Sequence, residues 1–341
     1  MNVKKYIAYR LVSSFFVLFG LSLLIFSLSR LVPGDPARLA LGPMAPQWAV
    51  DRLRSQLHLD EPVYVQYFYW VGNVFKGDLG QSLVTRRGVF NDIVEFFPAT
   101  FELVIFSVIL SSTLAIILGV TSGKYANSLW DNLVRVTSYI GIAIPSFVWA
   151  IMSVFIFGYV LRWFPTLGRV SSGILVPPKV TGLILVDSLL AGKLGVFKDA
   201  FYHMILPGTS LVISRLAQEA RITRASVVEN LNKDYIMAAR SFGIPESTIT
   251  LKNLLKPSLI PTVAVMGMDI AGSMGGSFIV ETIFNWPGLG RYGMSAMLSN
   301  DINAIVGVVM LIGVFFAFMN ILVDLITAYL DPRIMMKLRS S

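Results

Sequence analysis

Side chains equipped for chemistry are scarce in this chain, and they do not converge. The sequence holds no cysteine and two histidines, His58 and His203. Thiol catalysis, disulfides, iron–sulfur clusters and Cys/His zinc sites are excluded together, because each needs sulfur or clustered imidazole ligands. No HExxH is present, and two histidines so far apart read as structural, so no metal site is expected. A phosphate-cradling loop needs GxxxxGK followed by Ser or Thr. The nearest approach, "GVTSGK" at 119–124, has the wrong spacing and is followed by Tyr125. With no nucleophile–base pair in view, no catalytic residue is expected, and an ATP-driven process would need its ATPase on another chain.

One acid has an unusual setting. Asp269 lies within the apolar run 257–280, and a carboxylate at mid-membrane costs ~2.5–3.5 kcal/mol on insertion scales. It must face a cavity or find a partner. Two readings follow: Asp269 lines a path and attracts a cationic group such as an amino terminus, or it forms a structural ion pair with Arg215. Around it Gly267, Ala271 and Gly275 recur at four-residue spacing, with Gly272 and Gly276 as an adjacent stripe. Small residues at such intervals let helix backbones approach closely, and lining a pore is a compatible second role. Asp269, Gly272, Ser273 and Gly276 are therefore the candidate pathway residues.

The elements that must position these groups are membrane helices. The 341-residue chain is 55% hydrophobic and only 14% charged, with a mean hydropathy of +0.69. Long uncharged runs account for this, and an α-helix crosses the hydrocarbon with roughly 20 apolar residues. The net charge of +8 reflects basic residues flanking these runs, as expected for a lipid-embedded chain and not for a nucleic-acid binder. Clear spans are expected at 11–29, 103–123, 136–161 and 302–323. The run 11–29 is too long for a signal peptide and lacks a small-x-small cleavage site, so it reads as an uncleaved first span. Two more are expected at 257–280 and, as a kinked helix through Pro207, at 200–217; 180–192 is too short to cross. Six spans with both termini cytoplasmic follow, supported by basic residues at Lys4, Lys5, Arg10, Lys124, Arg135, Arg333, Lys337 and Arg339. The chain divides into 1–30 (N-terminus and first span), an external 31–99 region, a 100–330 core containing a cytoplasmic loop at 215–256, and a 331–341 tail. The aromatic-rich "LDEPVYVQYFYW" suits a small self-packed cap within 31–99.

The 215–256 loop has the pattern of a folded element. Leu231, Tyr235, Ala238 and Phe242 fall on one stripe at helical spacing, opposite Glu229, Lys233 and Arg240. Asp234 suits a helix cap, Gly243 a left-handed helix stop and Pro245 the first turn of the next helix. Leu251, Leu254 and Leu255 line a second apolar stripe. A helix joined rigidly to two spans either seals the membrane face or docks a soluble partner, since it transmits a rigid-body push.

This loop resembles the "EAA" coupling loop of permeases in ABC-type importers, and its surroundings are similar to the branch that carries dipeptides, oligopeptides and nickel. The matching segments run almost the whole chain in order: "VPGDPARL", "GDLGQSL", "PATFELV", "MILP", "ARITRASVVENLNKDYIMAARSFG", "LKPSLIP", "ETIFNWPGLGRY" and "VDLITAYLDPRI". Ala238 and Ala239 occupy the two Ala positions counted back from Gly243, but Met237 replaces the Glu and Pro257 falls one place late.

The resemblance implies an all-α, six-span type I importer permease in a bacterial or archaeal inner membrane. It also implies that Asp234, Tyr235, Ala238, Ala239, Arg240, Gly243 and Pro245 form the ATPase-coupling element. The partners would be a second homologous permease, two ATPase subunits that bind ATP and Mg, and an external solute-binding protein, with no cofactor in this chain. It marks Glu281, Trp286, Pro287 and Gly288 as an outer-surface motif, read physically as a rigid turn shaped by proline and glycine. Peptides are the leading solute class; nickel, glutathione, opines and oligosaccharides use similar permeases. The runner-up is a stand-alone secondary transporter driven by protons through Asp269.

Overall fold

The computed structural model describes residues 3–31, 35–42, 44–56 and 58–330. The tail 331–341, with Arg333, Lys337 and Arg339, lies outside the described residues, as do the side chains of Lys4, Lys5 and Ala271. Among the described residues the chain is all-α, apart from one isolated bridge between Gln81 and Gly88.

The first helix, α1 (Val3–Leu31), is followed by three shorter helices, α2 (Pro36–Leu41), α3 (Gln47–Gln56) and α4 (Val63–Phe75). The aromatic-rich stretch forms α4, whose Tyr67 packs on Phe26 of α1 and hydrogen bonds with Ser22 at 2.7 Å. Next comes α5 (Val89–Lys124), 36 residues long. At a rise of 1.5 Å per residue it reaches roughly 54 Å, well beyond a hydrocarbon core of ~30 Å. The division expected at 99/100 therefore falls inside one helix, which begins at Val89, eleven residues before Thr100.

The run 136–161, expected as one span, is two helices. α6 (Leu129–Ala143) and α7 (Ser146–Ser153, continuing as a π-helical stretch to Val160) meet at 99°. Pro145 is the cause. It lacks an N–H, and its ring forces Ile144 into extended backbone at φ −98°, ψ 121°. The Ser214 hydroxyl donates to the freed Ile144 carbonyl at 3.2 Å.

After the short α8 (Ile184–Leu190), α9 (Leu194–Leu231) runs 38 residues through Pro207 without a break. Residues 215–231, expected as the first part of a loop, thus continue helix α9. The remaining elements are α10 (Asp234–Ser241); α11 (Glu246–Thr248), which passes through a π-helical stretch to Leu254 directly into α12 (Leu255–Gly276); α13 (Phe278–Ile283); α14 (Leu289–Leu298); and α15 (Ile302–Leu330).

Among the described residues three helices are long and apolar enough to cross a membrane, Arg10–Arg30, Val89–Lys124 and Ile302–Thr327, or up to five if the α6/α7 and α11–α12/α13 bent pairs each count as one span. The expected fourth span falls outside this set. α9 is long enough, but Asp199, His203, Arg215 and Glu219 dilute its apolar character.

Helices α5 and α9 run side by side in the same direction and form the centre. Gly208 of α9 faces Phe106, while Gly119 and Gly123 of α5 face Thr223 and Val227. A Cβ on Gly119 would lie 2.5 Å from the Thr223 Cβ and 2.8 Å from the Ala220 carbonyl, so the two backbones touch where only glycine fits. Helix α12 meets α15 through Gly267 against Val323, and α1 lies outside α15, tied by an Arg10–Asp324 ion pair at 2.9 Å. This pairing puts the end of α5, the end of α9 and the 232–254 turn on one face. The starts of α5 and α15, the end of α1 and the α13–α14 turn lie on the opposite, far face.

Candidate functional site

The turn face is built on a small apolar cluster, Val227, Ile236, Ala239, Ile249 and Leu254, all buried. It holds α10 through Ile236 and Ala239. Tyr235, Ala238 and Phe242, expected on the inner stripe, are exposed, Phe242 by 84%. The expected stripe carried one helical period from Leu231 into α10, but the helix stops at Leu231 and restarts after Lys233, which resets the phase. Lys233 occupies the cap position and Asp234 is the first helical residue, so Asp234 contributes charge at the helix start instead of a side-chain cap. Leu251 is likewise exposed, and Ile249 takes the buried place beside Leu254.

The stop at Gly243 is as the sequence implies. Gly243 sits at φ +71°, its N–H donates to the Arg240 carbonyl at 2.9 Å, and the Ile244 N–H donates to the Ala239 carbonyl at 3.2 Å. This pair of bonds is a Schellman motif, which closes a helix only through a left-handed residue. Pro245 lies one place before the first turn of α11, where its carbonyl accepts from Thr248 and Ile249 at 2.9 and 3.0 Å. Across the turn Arg240 pairs with Glu246 at 2.6 Å, an exposed contact worth at most about 1 kcal/mol.

Above this face, polar side chains line a seam between α5, α9 and α12. Each helix supplies two at four-residue spacing, hence on one face: Ser107 and Ser111, Arg215 and Glu219, Asp269 and Ser273. Arg215 donates to Ser273 Oγ at 2.7 Å, to Ser107 Oγ at 3.0 Å and to the Leu211 carbonyl at 3.1 Å. The Arg215–Asp269 ion pair, one of the two readings of Asp269, is not formed, because the guanidinium is spent bridging two serines; its charge reaches Asp269 and Glu219 only through space. Asp269 and Glu219 each keep one buried carboxylate oxygen without a hydrogen-bond partner. One turn nearer the turn face, Thr223 and Thr262 hydrogen bond at 2.9 Å and continue the seam toward the cluster under α10. Glu219, Ser107 and Ser111 were not singled out in the sequence; the shared four-residue spacing on three helices is the signal that carries them.

The small-residue stripe of α12 divides in two. Gly267 is packed against Val323, whereas Gly272, Gly275 and Gly276 have nothing within 4 Å of a Cβ position. Bare backbone is therefore presented beside Asp269, while Ser273 on the adjoining face is buried.

At the far face, the motif expected on the outer surface is buried. Glu281 is 0% exposed and accepts from Thr100 Oγ1 at 2.7 Å, Ser277 Oγ at 2.9 Å and the Arg291 N–H at 3.1 Å. Trp286, also fully buried, donates from Nε1 to the Ala99 carbonyl at 2.9 Å. A Cβ at Gly288 would lie 2.5 Å from Glu281 Oε2, so glycine is required there. Pro287 completes the turn and is half-buried. Together these residues latch the start of α5 to α13 and α14. Arg169 lies over the Trp286 ring at 5.6 Å and pairs with Glu102, which seats the 162–199 segment on the same latch. That segment is organised around Asp187. Burial opposes its charge, but N–H groups of Val180, Thr181 and Gly182 and the Thr181 hydroxyl hold its carboxyl below the usual range. Trp286→Ala is expected to lower stability by about 3–5 kcal/mol, the usual cost of emptying a fully buried aromatic site, read as an earlier thermal unfolding transition of the purified protein.

Among the described residues no group of three or more His, Cys, Asp or Glu is placed to hold a metal ion. The His203 ring nitrogen instead lies 2.9 Å from the Asp199 carbonyl.

Comparison with known proteins places this geometry. Residues 115–336 match the family described as binding-protein-dependent transport system inner membrane component, and residues 3–104 match its N-terminal region. The chain is 37% identical over 318 residues to the probable D,D-dipeptide transport system permease protein DdpB of Escherichia coli (strain K12), covering 93% of this chain and 94% of that protein. It is 36% identical over 318 residues to the di/tripeptide transport system permease protein DppB of Pseudomonas aeruginosa (strain UCBPP-PA14), with the same coverage. It is 32% identical over 333 residues to the glutathione transport system permease protein GsiC of Escherichia coli (strain K12), covering 98% of this chain and 99% of that protein. A multi-pass helical protein of the inner membrane, this chain belongs to the family of permease components of binding-protein-dependent importers, which are transport subunits and not enzymes.

Proposed function

We propose that this permease carries short peptides as one half of a type I importer, crossing the membrane six times with both termini in the cytoplasm. In this reading α9 is the further span, and the turn face is cytoplasmic. The chain pairs with a second homologous permease and rests on two ATPase subunits that bind ATP and Mg. It receives solute from an external binding protein at the far face, with 31–99 and 162–199 contributing to that surface. Residues 331–341 form a cytoplasmic tail. The relatives named for D,D-dipeptides, di- and tripeptides and glutathione share a small peptide-like solute, which supports that class for this chain.

The observation that carries the coupling role is the outward face of α10. Tyr235, Met237 and Phe242 are exposed large side chains on a helix that Ile236 and Ala239 anchor from beneath. An ATPase subunit covers this face, and its closure pushes α10 and, through the Schellman turn, α11 and α12. Solute passes along the bare glycine strip of α12, where Asp269 attracts the ammonium end of a peptide. Phe242→Asp tests the docking. Phe242 packs on nothing in the anchoring cluster, so the chain is expected to insert normally while the amount of co-purified ATPase falls about tenfold, the size of one lost hot-spot side chain. Undiminished co-purification would remove α10 as the docking surface.

A further inference from the structure

Two cavities meet at the far-face end of the seam between α1 and α15. The upper, about 120 Å³, is lined by polar side chains that include Arg30, His58, Gln66, Asn73 and Asn300. The lower, about 160 Å³, is apolar and runs down the seam between Leu24 and Leu28 of α1 and Ile305 and Val309 of α15. Ser29, Ile302 and Val306 line both. The two are therefore one slot, polar at its mouth and apolar along its length.

The depth of the slot is set by the helices that form it. Arg30 ends the apolar stretch Arg10–Arg30 and Ile302 begins the stretch Ile302–Thr327. The polar mouth thus sits where hydrocarbon gives way to headgroups. Beside it α4 exposes Tyr64 and Tyr69, and tyrosine favours this boundary. Along the apolar part, Leu24 and Leu28 are each 55% exposed, so this length of the slot opens sideways to lipid.

The charge of the mouth is equally specific. The Arg30 guanidinium lies 5.0 Å over the Phe26 ring, and its Nε is buried without a hydrogen-bond partner among the described residues. The one carboxylate lining the mouth among the described residues, Asp301, is held by neutral donors. It accepts from Ser82 Oγ and the Leu83 N–H, both at 2.6 Å, and from the Ala304 N–H at 3.2 Å. The mouth therefore offers a guanidinium that Asp301 does not pair with, beside the side-chain amides of Asn73 and Asn300, which is the chemistry of a site for a phosphate oxygen.

We propose that this slot holds one phospholipid of the far-face leaflet, with its phosphodiester against Arg30 and one acyl chain in the α1–α15 seam. An amphiphile matches both halves at once. A free anion fills only the mouth, and a peptide carboxylate brings nothing suited to the apolar length. Bound there, the lipid would join α1 and α4 to α15.

The test uses the assembled transporter, stripped of lipid in mild detergent and given phosphatidylethanolamine or phosphatidylglycerol, with retained lipid counted by native mass spectrometry. Wild type is expected to keep one phospholipid in the presence of excess inorganic phosphate. Arg30→Gln is expected to weaken retention about tenfold or more, the low end for a charge-assisted hydrogen bond, and Arg30→Lys to restore most of it. Leu28→Trp, which takes up groove volume and leaves the mouth intact, is expected to lower retention as well, and it carries the test alone if Arg30→Gln does not assemble. Three results would each overturn the proposal: retention equal to wild type in both Arg30→Gln and Leu28→Trp; displacement of the lipid by inorganic phosphate with Leu28→Trp silent, which marks a free-anion site; or no lipid on wild type because the second permease seals the seam.

Discussion

Gly243→Val is expected to leave a permease that inserts and assembles but whose ATPase partners no longer respond to the solute-loaded binding protein. The geometry isolates the cause. Gly243 adopts φ +71°, and no atom lies within 4 Å of where its Cβ would stand. The Cβ of valine therefore meets no steric obstacle; its backbone penalty is torsional, at least the ~1–2 kcal/mol that an L-residue loses in the left-handed region. That is sufficient to open the Schellman turn and let α10 drift relative to α12. Insertion is spared, because the Val227, Ile236 and Leu254 cluster does not include this residue. Gly243→Asn provides the control, since asparagine tolerates the same backbone region, and it should retain most of the stimulation. Measured as binding-protein-stimulated ATP hydrolysis in nanodiscs, the valine variant should fall to the unstimulated rate and the asparagine variant should not. Equal stimulation in the two would separate the turn from coupling.

Arg215→Leu carries the other large effect. Its guanidinium bridges Ser107 and Ser273 and is the cation nearest to Glu219 and Asp269. Removing it takes away the through-space counter-charge of two acids and two charge-assisted hydrogen bonds, each worth about 1.5–3 kcal/mol. The expected result is loss of assembled complex and of uptake. Adding Asp269→Asn to Arg215→Leu should recover part of the assembled complex, because it removes one of the two exposed costs. Asp269→Asn alone should assemble, and it should narrow the preference for peptides with a free amino terminus over N-acetylated ones. Unchanged uptake and unchanged preference in that variant would eliminate Asp269 from the path and leave it a structural role.

How much of this was legible in the sequence differs by element. Long uncharged runs announced α1, α5 and α15, since apolar length alone decides membrane insertion. Composition could not reveal that 136–161 is two helices, because one proline sets the 99° bend and the flanking residues remain apolar. The left-handed stop at Gly243 was legible because only glycine is at ease there. The buried face of α10 was not. Periodicity assigns an inner face only within one unbroken helix, and the restart after Lys233 hides the change of phase. In the polar seam Asp269 was conspicuous as a lone acid in an apolar run. Its relation to Arg215 was not, because serines on two other helices compete for the guanidinium, and that competition exists only in three dimensions. The far-face motif was legible as a turn, but its burial was not, since Glu281 and Trp286 reach hydrogen-bond partners at Thr100 and Ala99 from the other end of the sequence.

The glycine contacts between α5 and α9 have a mechanical consequence. From Gly208 to the end of α9 at Leu231 the helix is proline-free and fastened to α5 at Phe106, Gly119 and Gly123. This length, roughly 36 Å at 1.5 Å per residue, behaves as a single two-stranded beam. A beam converts angle into displacement: a tilt of about 5° at one end moves the other by about 3 Å over such a length. Displacement delivered to α10 would thus arrive beside the latch at Thr100 and Glu281 largely undamped, and Pro207, immediately beyond the last fastening, is the first place along α9 where the motion can be absorbed.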